Sequence, residues 1–352
     1  MKSRTHVDMT QVPTFDEIID VRTPAEFALD HIPGSINRPV LSDEERVVVG
    51  TIHNQESPFA AKKVGAALIA KRIAGHIEED FYTRPKNWRP LIYCWRGGKR
   101  SNSMGHILRE IGWNAHILDG GYKAYRTNVL TKLNDLPNVF DYRVITGSTG
   151  SGKSRILEVL HELGAQVLDL EQIANHKGSV LGNMPDSNQP SQKYFESYVL
   201  DQLESFDPSR VVFIEAESKK IGNIQVPETL LLKFRQSPCI RIEATTEARI
   251  EFLIRDYDYL ISNPNQLIQK LSFLRELHGH EVLDRWTHWI NHHAWQDLIR
   301  DLLVRHYDKL YEKSQGKNFT QYLQAPKIQV DDLSPASIQL IAQEINRQFS
   351  SN

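Results

Sequence analysis

The stretch Asp141–Leu157, DYRVITGSTGSGKSRIL, takes a short apolar run into a glycine-rich loop and then into a helical pattern. Gly147, Gly152, Lys153 and Ser154 fit G-x-x-x-x-G-K-[ST] at every fixed position. A strand before such a loop and a helix after it form the context that a phosphate-binding loop requires. The stretch therefore predicts a site for a ligand that carries a phosphate or a diphosphate.

Each part of this loop has an expected role. The glycines allow successive backbone N–H groups to turn toward one anion, and the helix N-terminus adds partial positive charge. Lys153 is expected to reach the outer phosphate and Ser154 to face a Mg²⁺ ion. The alternative is a Gly/Ser-rich turn with no ligand. The predicted phosphate- or diphosphate-binding residues are Gly147, Ser148, Thr149, Gly150, Ser151, Gly152, Lys153 and Ser154.

Length and composition narrow the class of protein. A chain of 352 residues exceeds one ordinary domain and predicts two, each with its own core. A hydrophobic content of 40% with 24% charged residues is typical of a soluble globular protein. No apolar run approaches the length of a bilayer span, and the N-terminal MKSRTHVDMT lacks the apolar core of a signal peptide, so we expect a cytoplasmic protein with no membrane partner. The net charge of −2 argues against a generally basic, nucleic-acid-coating protein but permits a local basic face.

The N-terminal third contains a second candidate site, around Cys94. An apolar strand, Pro90–Tyr93, leads directly into it, and a helical segment, Met104–Ile111, follows. A thiol in a glycine-bearing loop with three cations, before a helix N-terminus, is placed to form the reactive thiolate. Loop N–H groups can hold an anion beside it. The alternative is a buried cysteine that only packs. The predicted catalytic residues are Cys94, Arg96, Gly97, Gly98, Lys99 and Arg100.

The first 126 residues resemble a rhodanese domain. The resemblance rests on Asp20-Val21-Arg22, Glu26-Phe27, His31–Asn37, the Cys94 loop and Leu118–Arg126, in that order. It implies an α/β domain whose loop cysteine carries sulfur or selenium, or handles a substituted phosphate. The chain departs from the common sulfurtransferases in a longer stretch from Val40 to Arg89. It also departs in having five residues between Cys94 and Arg100, which is similar to the Cys-x₅-Arg loop of phosphatases.

The region after the phosphate loop predicts a parallel sheet. Apolar strands at 166–171, 211–214 and 239–244 alternate with helical stretches; the first ends in two carboxylates, and the second leads into two more. Since ligands bind at the carboxyl ends of parallel strands, these acids are expected to converge near Lys153 and to position Mg²⁺ or water. The alternative is that they are solvated or cap the next helix. The four acids are Asp169, Glu171, Glu215 and Glu217. We expect no metal site made by dedicated protein ligands.

Further predictions concern substrate contacts and domain limits. Asn175, His176 and Lys177 follow in a loop and are candidates for substrate contact. The stretch from about 247 to 325 is helical and aromatic, which favours packing between helices. The alternative is a surface that stacks on bases and faces phosphates, because arginines and histidines are mixed with the aromatic residues. We place a rhodanese-like domain at residues 1–136 and a P-loop NTPase-like parallel-sheet domain, with a helical C-terminal part, at 137–352. The fold class is α/β throughout.

A rhodanese-like domain followed by a phosphate-loop domain resembles the bacterial tRNA 2-selenouridine synthase family. The segments that carry this resemblance are Cys94–Ser101, Gly120–Ala124, Gly147–Ser154, Asp169–Ser179 and Glu215–Ser218. It implies replacement of sulfur by selenium at C2 of wobble 2-thiouridine in the anticodon arm of tRNA, through an S-geranyl intermediate. The implied co-substrates are geranyl diphosphate and selenophosphate, with no tightly bound cofactor beyond Mg²⁺ on the diphosphate. A selenophosphate-producing enzyme is an implied partner.

Two other functions fit the same motifs. One is an ATP-dependent sulfurtransferase or kinase in which the phosphate loop hydrolyses a nucleotide. The other is a phosphatase or an adaptor in which Cys94-x₅-Arg100 binds phosphorylated ligands. Within the selenium-transfer hypothesis, Cys94 either carries selenium covalently or only coordinates the donor.

Overall fold

The chain forms two compact units in a computed structural model that describes residues 5–179, 181–184 and 187–350. The first unit contains Met1–Lys132 and Ser191–Asp201, and the second contains Leu133–Pro190 and Gln202–Asn352. The boundary expected between residues 136 and 137 lies inside a short 3₁₀ helix, Leu136–Val139. The residues 191–201 are counted with the first unit because they pack there, a long-range contact that the local sequence does not encode.

The first unit is built on a parallel five-stranded sheet, with helices between consecutive strands. In spatial order the strands run β1-β5-β4-β2-β3, and Ile92 on the central β4 pairs with Ile19 on one side and Ile117 on the other. The strands are β1 (His6–Val7), β2 (Glu17–Asp20), β3 (Ile36–Asn37), β4 (Pro90–Tyr93) and β5 (His116–Leu118). The helices are α1 (Pro24–Leu29), α2 (Asp43–Gln55), α3 (Pro58–His76), α4 (Lys99–Ile111) and α5 (Gly121–Asp135). A 3₁₀ helix (Met9–Thr14) and a π-helical turn (Ile77–Phe81) complete the unit.

Local signals set several of these boundaries. Thr23 caps α1 through a capping box with Glu26, and Pro24 occupies the first helical position. The long stretch between Val40 and Arg89 forms the pair α2 and α3, which pack on one another. Helix α4 begins at Lys99, five residues earlier than the predicted helical segment, so Lys99 and Arg100 lie on its first turn and not in the loop.

The second unit has the predicted parallel sheet, with the strand before the phosphate loop at its centre. The spatial order is β12-β11-β6-β8-β7, and all neighbours run parallel. The strands are β6 (Tyr142–Gly147), β7 (Gln166–Leu168), β8 (Val212–Glu215), β11 (Cys239–Ala244) and β12 (Lys327–Val330), with a separate antiparallel pair, β9 (Lys220–Ile221) and β10 (Ile224–Gln225). Strand β12 was not predicted; it adds to β11 after the long helical region.

Helices cover this sheet and continue into the helical C-terminal part. They are α6 (Lys153–Glu162), α7 (Leu170–Ala174), α9 (Glu228–Arg235), α10 (Thr246–Asp256), α11 (Asp258–Ile261), α12 (Pro264–Ser272), α13 (Arg275–His278), α14 (His280–Asn291), α15 (Trp295–Leu302), α16 (Asp308–Asn318) and α17 (Pro335–Phe349). Helix α8 (Gln192–Ser205) precedes β8, and most of it belongs to the segment counted with the first unit. A π-helical turn (Leu303–Tyr307) joins α15 to α16, and a 3₁₀ turn (Tyr322–Gln324) precedes β12. Within the described residues, no helix combines the length and the apolarity that a bilayer crossing needs.

Gly121 packs directly against the backbone of the Cys94 loop, so a substitution there tests how closely the two segments pack. Gly121 has φ +57°, and a Cβ added there would lie 2.2 Å from the Cys94 carbonyl oxygen and 2.5 Å from the Gly97 nitrogen. Gly34 also has a positive φ, +75°, but nothing lies within 4 Å of an added Cβ. We expect Gly121→Ala to lower the free energy of unfolding by about 3 kcal/mol and Gly34→Ala by about 1 kcal/mol, because only the first adds a backbone clash to the strain of positive φ. Urea unfolding measures both; equal losses would contradict the tight packing described here.

Candidate active site: the phosphate loop and the Cys94 loop

The phosphate loop links the central strand β6 to the N-terminus of α6. Gly150 and Gly152 have φ values of +81° and +76°, and a Cβ on Gly150 would come within 2.9 Å of the Leu253 side chain. Such backbone angles and such close packing require glycine. The loop opens onto a cavity of about 690 Å³. Of the eight predicted phosphate-binding residues, five line this cavity: Thr149, Gly150, Gly152, Lys153 and Ser154.

Three of the four predicted acids form one cluster beside the lysine of the loop. Carboxylate oxygens of Glu171, Glu215 and Glu217 all lie within 4.8 Å of one another. Ser154 donates a hydrogen bond to Glu215 at 2.9 Å or to Glu171 at 3.1 Å, and Lys153 Nζ lies 3.4 Å from Glu215. Asp169 lines the same cavity, but its side chain caps α7 by accepting from the Gln172 N–H, which is the alternative role considered for these acids.

This carboxylate cluster suits a hard cation. Mg²⁺ binds oxygen ligands at about 2.0–2.1 Å, so two oxygens on one ion lie at most about 4.2 Å apart. Oxygens that lie within 4.8 Å of one another suit either direct coordination or coordination partly through water, which is the usual mode for this ion. The Ser154 hydroxyl already touches two members of the cluster and would remain within reach of the same ion. Glu171, Glu215, Glu217 and Ser154 therefore fit a Mg²⁺ ion shared with a bound phosphate.

Burial and mutual repulsion change the proton affinity of these acids. Burial, followed by the charge of Glu215, raises the pKa of Glu217 to about 8. The same two causes hold the pKa of Glu171 well above its usual range. Burial also raises the pKa of Asp169 to about 6. At neutral pH the cluster therefore holds protons, which a bound cation would displace.

The three predicted substrate-contact residues all line the cavity, but they differ in their surroundings. Asn175 donates to the Ser187 hydroxyl and the Asn188 carbonyl, so it shapes its own loop. His176 is 6% exposed, and burial lowers its pKa, which keeps the ring neutral near pH 7. Lys177 is paired with Asp256 at 2.6 Å, and its ammonium lies 4.5 Å from the centre of the Tyr257 ring. The imidazole Nδ1 of His176 is buried and has no hydrogen-bond partner among the described residues.

Two supports of the phosphate loop come from far along the chain and were missed by sequence reasoning. The buried Arg249 donates from Nε to the Thr149 carbonyl at 2.8 Å, and its guanidinium pairs with Asp308 at 2.6 Å. The Tyr311 hydroxyl accepts the Gly147 N–H, and Lys153 Nζ lies 5.8 Å from the centre of the Tyr311 ring. From sequence alone, an arginine in a helical region that supports a loop cannot be distinguished from one that lies exposed on the surface.

The Cys94 loop places the thiol against the first turn of α4. Cys94 is 4% exposed and packs in the hydrophobic core of the first unit. Its Sγ nevertheless accepts the Gly98 N–H at 3.2 Å and lies 3.2 Å from the Ser101 hydroxyl. The structure thus has features of both alternatives, the reactive thiolate and the buried cysteine that only packs. Cys94 is buried, but its sulfur has two hydrogen-bonding neighbours at a helix N-terminus, which can stabilise a negative charge on it.

The three cations of this loop are not equivalent. Arg100 forms two hydrogen bonds with Glu26, at 2.6 and 3.3 Å. Burial acts to raise the pKa of Glu26, but the hydrogen bonds and charge of Arg100 outweigh it, so the pKa is lowered overall. Arg96 and Lys99 are exposed. An incoming anion therefore meets Arg96 and Lys99 directly, whereas Arg100 is already paired with a carboxylate that the sequence did not link to it.

Trp95 is an aromatic residue of this loop that sequence reasoning left out. It directly follows Cys94 and is 37% exposed. Its ring packs at 5.2 Å against Tyr122, whose hydroxyl donates to the buried Asp30 at 2.7 Å. The signal available in the sequence was its position beside the cysteine, since an exposed tryptophan next to a reactive group is suited to stacking on a flat substrate.

The proton affinity of Glu217 gives a test by pH. Its pKa in the folded protein, about 8, exceeds the ordinary value of 4.5, so between these values the folded state holds a proton that the unfolded state has lost. This stabilisation is fully present below about pH 4.5 and is lost as the pH rises through 8. We expect Glu217→Gln to be more stable than the wild type at pH 8, by about 1–3 kcal/mol, and to show a weaker fall in stability between pH 5 and 8.

Urea unfolding at several pH values, without added cations, measures this difference. Glu276→Gln, at an exposed glutamate of α13, is the control and should follow the wild-type pH profile. In the wild type, Mg²⁺ should bind more tightly as the pH rises, because binding releases protons. A Glu217→Gln profile parallel to the wild type would contradict the protonated cluster.

Comparisons with known proteins follow the same division of the chain. The rhodanese-like domain family model matches residues 5–128. A model described as the tRNA 2-selenouridine synthase AAA domain matches residues 140–278. The two matches correspond to the sheets that carry the Cys94 loop and the phosphate loop.

Relatives that match two thirds or more of this chain carry the same name. A tRNA 2-selenouridine synthase of Nitrosomonas europaea is 34% identical over 68% of this chain and 63% of its own length, and one of Nitrosomonas eutropha is 34% identical over 71% and 65%. The match thus spans slightly less than two thirds of these two proteins. A tRNA 2-selenouridine synthase of Shewanella denitrificans is 31% identical over 84% of this chain and 87% of its own length. On this similarity, the chain belongs to the tRNA 2-selenouridine synthase family.

Proposed function

We propose that this protein is a tRNA-modifying enzyme that replaces sulfur by selenium at C2 of 2-thiouridine in the wobble position. One observation supports this proposal most strongly. A single chain of this family contains both a phosphate loop with a carboxylate cluster and a cysteine loop with exposed cations. We further propose that the reaction runs through S-geranyl-2-thiouridine, with geranyl diphosphate and selenophosphate as co-substrates. Such an enzyme acts where mature tRNA is found, so we assign it to the cytoplasm.

The first step makes sulfur a better leaving group. The thiocarbonyl sulfur of the uridine attacks C1 of geranyl diphosphate; the S–C1 bond forms, the C1–O bond breaks, and its electron pair leaves with the diphosphate. The N3 proton of the base is released to solvent, which leaves an isothiourea-like ring. Negative charge grows on the departing diphosphate, so a group that binds this charge lowers the barrier.

The phosphate loop is arranged to bind that charge. Its N–H groups and the N-terminus of α6 favour an anion, and Lys153 can exchange its contact with Glu215 for a phosphate oxygen. Glu171, Glu215, Glu217 and Ser154 would hold a Mg²⁺ ion on the other side of the diphosphate. When bound, the ion neutralises the charge of the leaving group. The supports from Arg249 and Tyr311 keep the loop in place while this contact changes.

The second step uses the Cys94 loop. The selenium of selenophosphate attacks C2 of the geranylated base; the C–Se bond forms, and the C–S bond breaks with its electron pair leaving as geranylthiolate, which takes a proton from solvent. Water then attacks phosphorus and breaks the P–Se bond, which releases phosphate. The exposed Arg96 and Lys99 would hold the trianionic donor, and Cys94 would contact its selenium.

Recognition of tRNA uses charge and stacking. Trp95 is exposed beside Cys94 and offers an aromatic face to an unstacked uridine. Most arginines of the helical C-terminal part are instead committed to protein acceptors: Arg285 and Arg305 pair with Asp301, and Arg300 pairs with Glu247. A selenophosphate-producing enzyme is the expected source of the donor.

The first step is tested with Lys153→Ala. We expect geranyl transfer to tRNA to fall about 100- to 1,000-fold, because the variant loses a cation at the departing diphosphate. The measurement is mass spectrometry of nucleosides from tRNA that carries 2-thiouridine, incubated with geranyl diphosphate and selenophosphate, each omitted in turn. Lys86→Ala, at an exposed lysine of the first unit, is the control. Undiminished transfer by Lys153→Ala would remove the phosphate loop from this step, and turnover of ATP that depends on Lys153 would favour a nucleotide-driven sulfurtransferase or kinase.

The second step is tested with Cys94→Ser. We expect geranylated tRNA to form at the wild-type rate and to accumulate, since only the sulfur that contacts selenium has changed. Cys239→Ala is the matched control: Cys239 lies buried in β11, where burial raises its pKa to about 11, and it should still yield selenouridine. If Cys94→Ser converts geranylated tRNA normally, Cys94 has no part in selenium transfer.

A further inference from the structure

A small apolar pocket lies in the second unit beside the phosphate-loop cavity. Its volume is about 60 Å³. Its walls come from the helical C-terminal part: Leu260 of α11, Leu267 of α12, and Leu298 and Leu302 of α15. These four leucines are 2–5% exposed and belong to one hydrophobic cluster. We name this space the leucine pocket.

The leucine pocket shares a wall with the phosphate-loop cavity. Five residues line both spaces: Thr149, Ser179, Leu253, Tyr257 and Tyr307. Thr149 is a residue of the phosphate loop itself. A ligand held by its phosphates at the loop therefore has this apolar space within reach of a chain that extends from those phosphates through the cavity.

The chemistry of the walls selects the kind of group that fits. Among the described residues that line the leucine pocket, none carries a charge. The hydroxyls of Ser179 and Tyr257 lie 3.4 Å apart at the shared wall, so these two polar groups lie on the side toward the cavity. A nucleobase needs donors and acceptors around its ring, whereas a hydrocarbon loses nothing among leucines and is removed from water.

We propose that the leucine pocket receives the end of the hydrocarbon chain of a prenyl diphosphate whose diphosphate is bound at the phosphate loop, and that Leu298 and Ile299 set the chain length. This inference rests on the proposed geranyl transfer and locates its hydrocarbon site. A volume of about 60 Å³ is about twice the share of one water molecule in the liquid, so the pocket holds a few carbon atoms. The rest of a short chain lies in the larger cavity.

The first test fills the pocket. Ile299 lines the leucine pocket and is half-buried, so Ile299→Phe can place extra volume there. We expect the preference for geranyl diphosphate over inorganic diphosphate, measured by calorimetric titration with Mg²⁺, to fall about 10- to 50-fold, as for two or three methylene groups returned to water. Binding of inorganic diphosphate should stay unchanged, which also reports that the variant is folded. Leu277→Phe, at a leucine that is 63% exposed and lines neither space, is the control.

The second test enlarges the pocket. Leu298→Ala should shift the preference toward farnesyl diphosphate over geranyl diphosphate by about tenfold, because the longer chain gains the space that the side chain leaves. If neither variant changes the preference between ligands, the leucine pocket is a packing void only, and the inference is overturned. The proposed function can fail independently of this inference. If the wild-type protein binds geranyl diphosphate through this pocket but transfers no geranyl group to tRNA, the proposed reaction is wrong and the assignment of the pocket still holds.

Discussion

Excess negative charge at the end of a parallel sheet is the constraint on which the second unit depends. Glu171, Glu215 and Glu217 crowd within 4.8 Å, and Lys153 is the cation that acts against their repulsion. One lysine does not balance three buried carboxylates, so protons remain on the cluster at neutral pH. A site of this kind binds a divalent cation together with an anion more readily than either alone, since each neutralises the other.

The topology of the sheet explains why these groups meet. Strand β6 is central and parallel to β8, and β8 is parallel to β7, so the phosphate loop, Glu215 and the start of α7 all emerge at the same edge. The first unit has the same arrangement around β4: Cys94 directly follows the carboxyl end of this strand and lies at the N-terminus of α4. In both units a reactive group follows a central buried strand and precedes a helix, which is where parallel sheets bind ligands.

The sequence predicted the parts of this protein that depend on short spacing. The phosphate loop and the strand before Cys94 are encoded within a few residues, and the structure contains both. Among contacts between distant residues, the sequence predicted that the strand-terminal acids converge near Lys153, because parallel strands end at one edge of the sheet. The other long-range contacts of the two sites were not predicted. Glu26 with Arg100, Arg249 with Asp308, and Tyr311 with Gly147 join residues 59 to 164 positions apart, and no local pattern identifies such partners. The addition of β12 to the sheet edge was missed for the same reason.

The contacts that Arg249 and Tyr311 make with the phosphate loop affect where the limits of the phosphate-loop module should be placed. The family model for this module ends at residue 278, yet Asp308 and Tyr311 lie beyond it and hold the loop through one ion pair and one backbone hydrogen bond. A fragment cut at that point would keep every motif residue and lose the scaffold that shapes them. The structural unit that supports the phosphate loop is therefore larger than the segment that the signature motifs define.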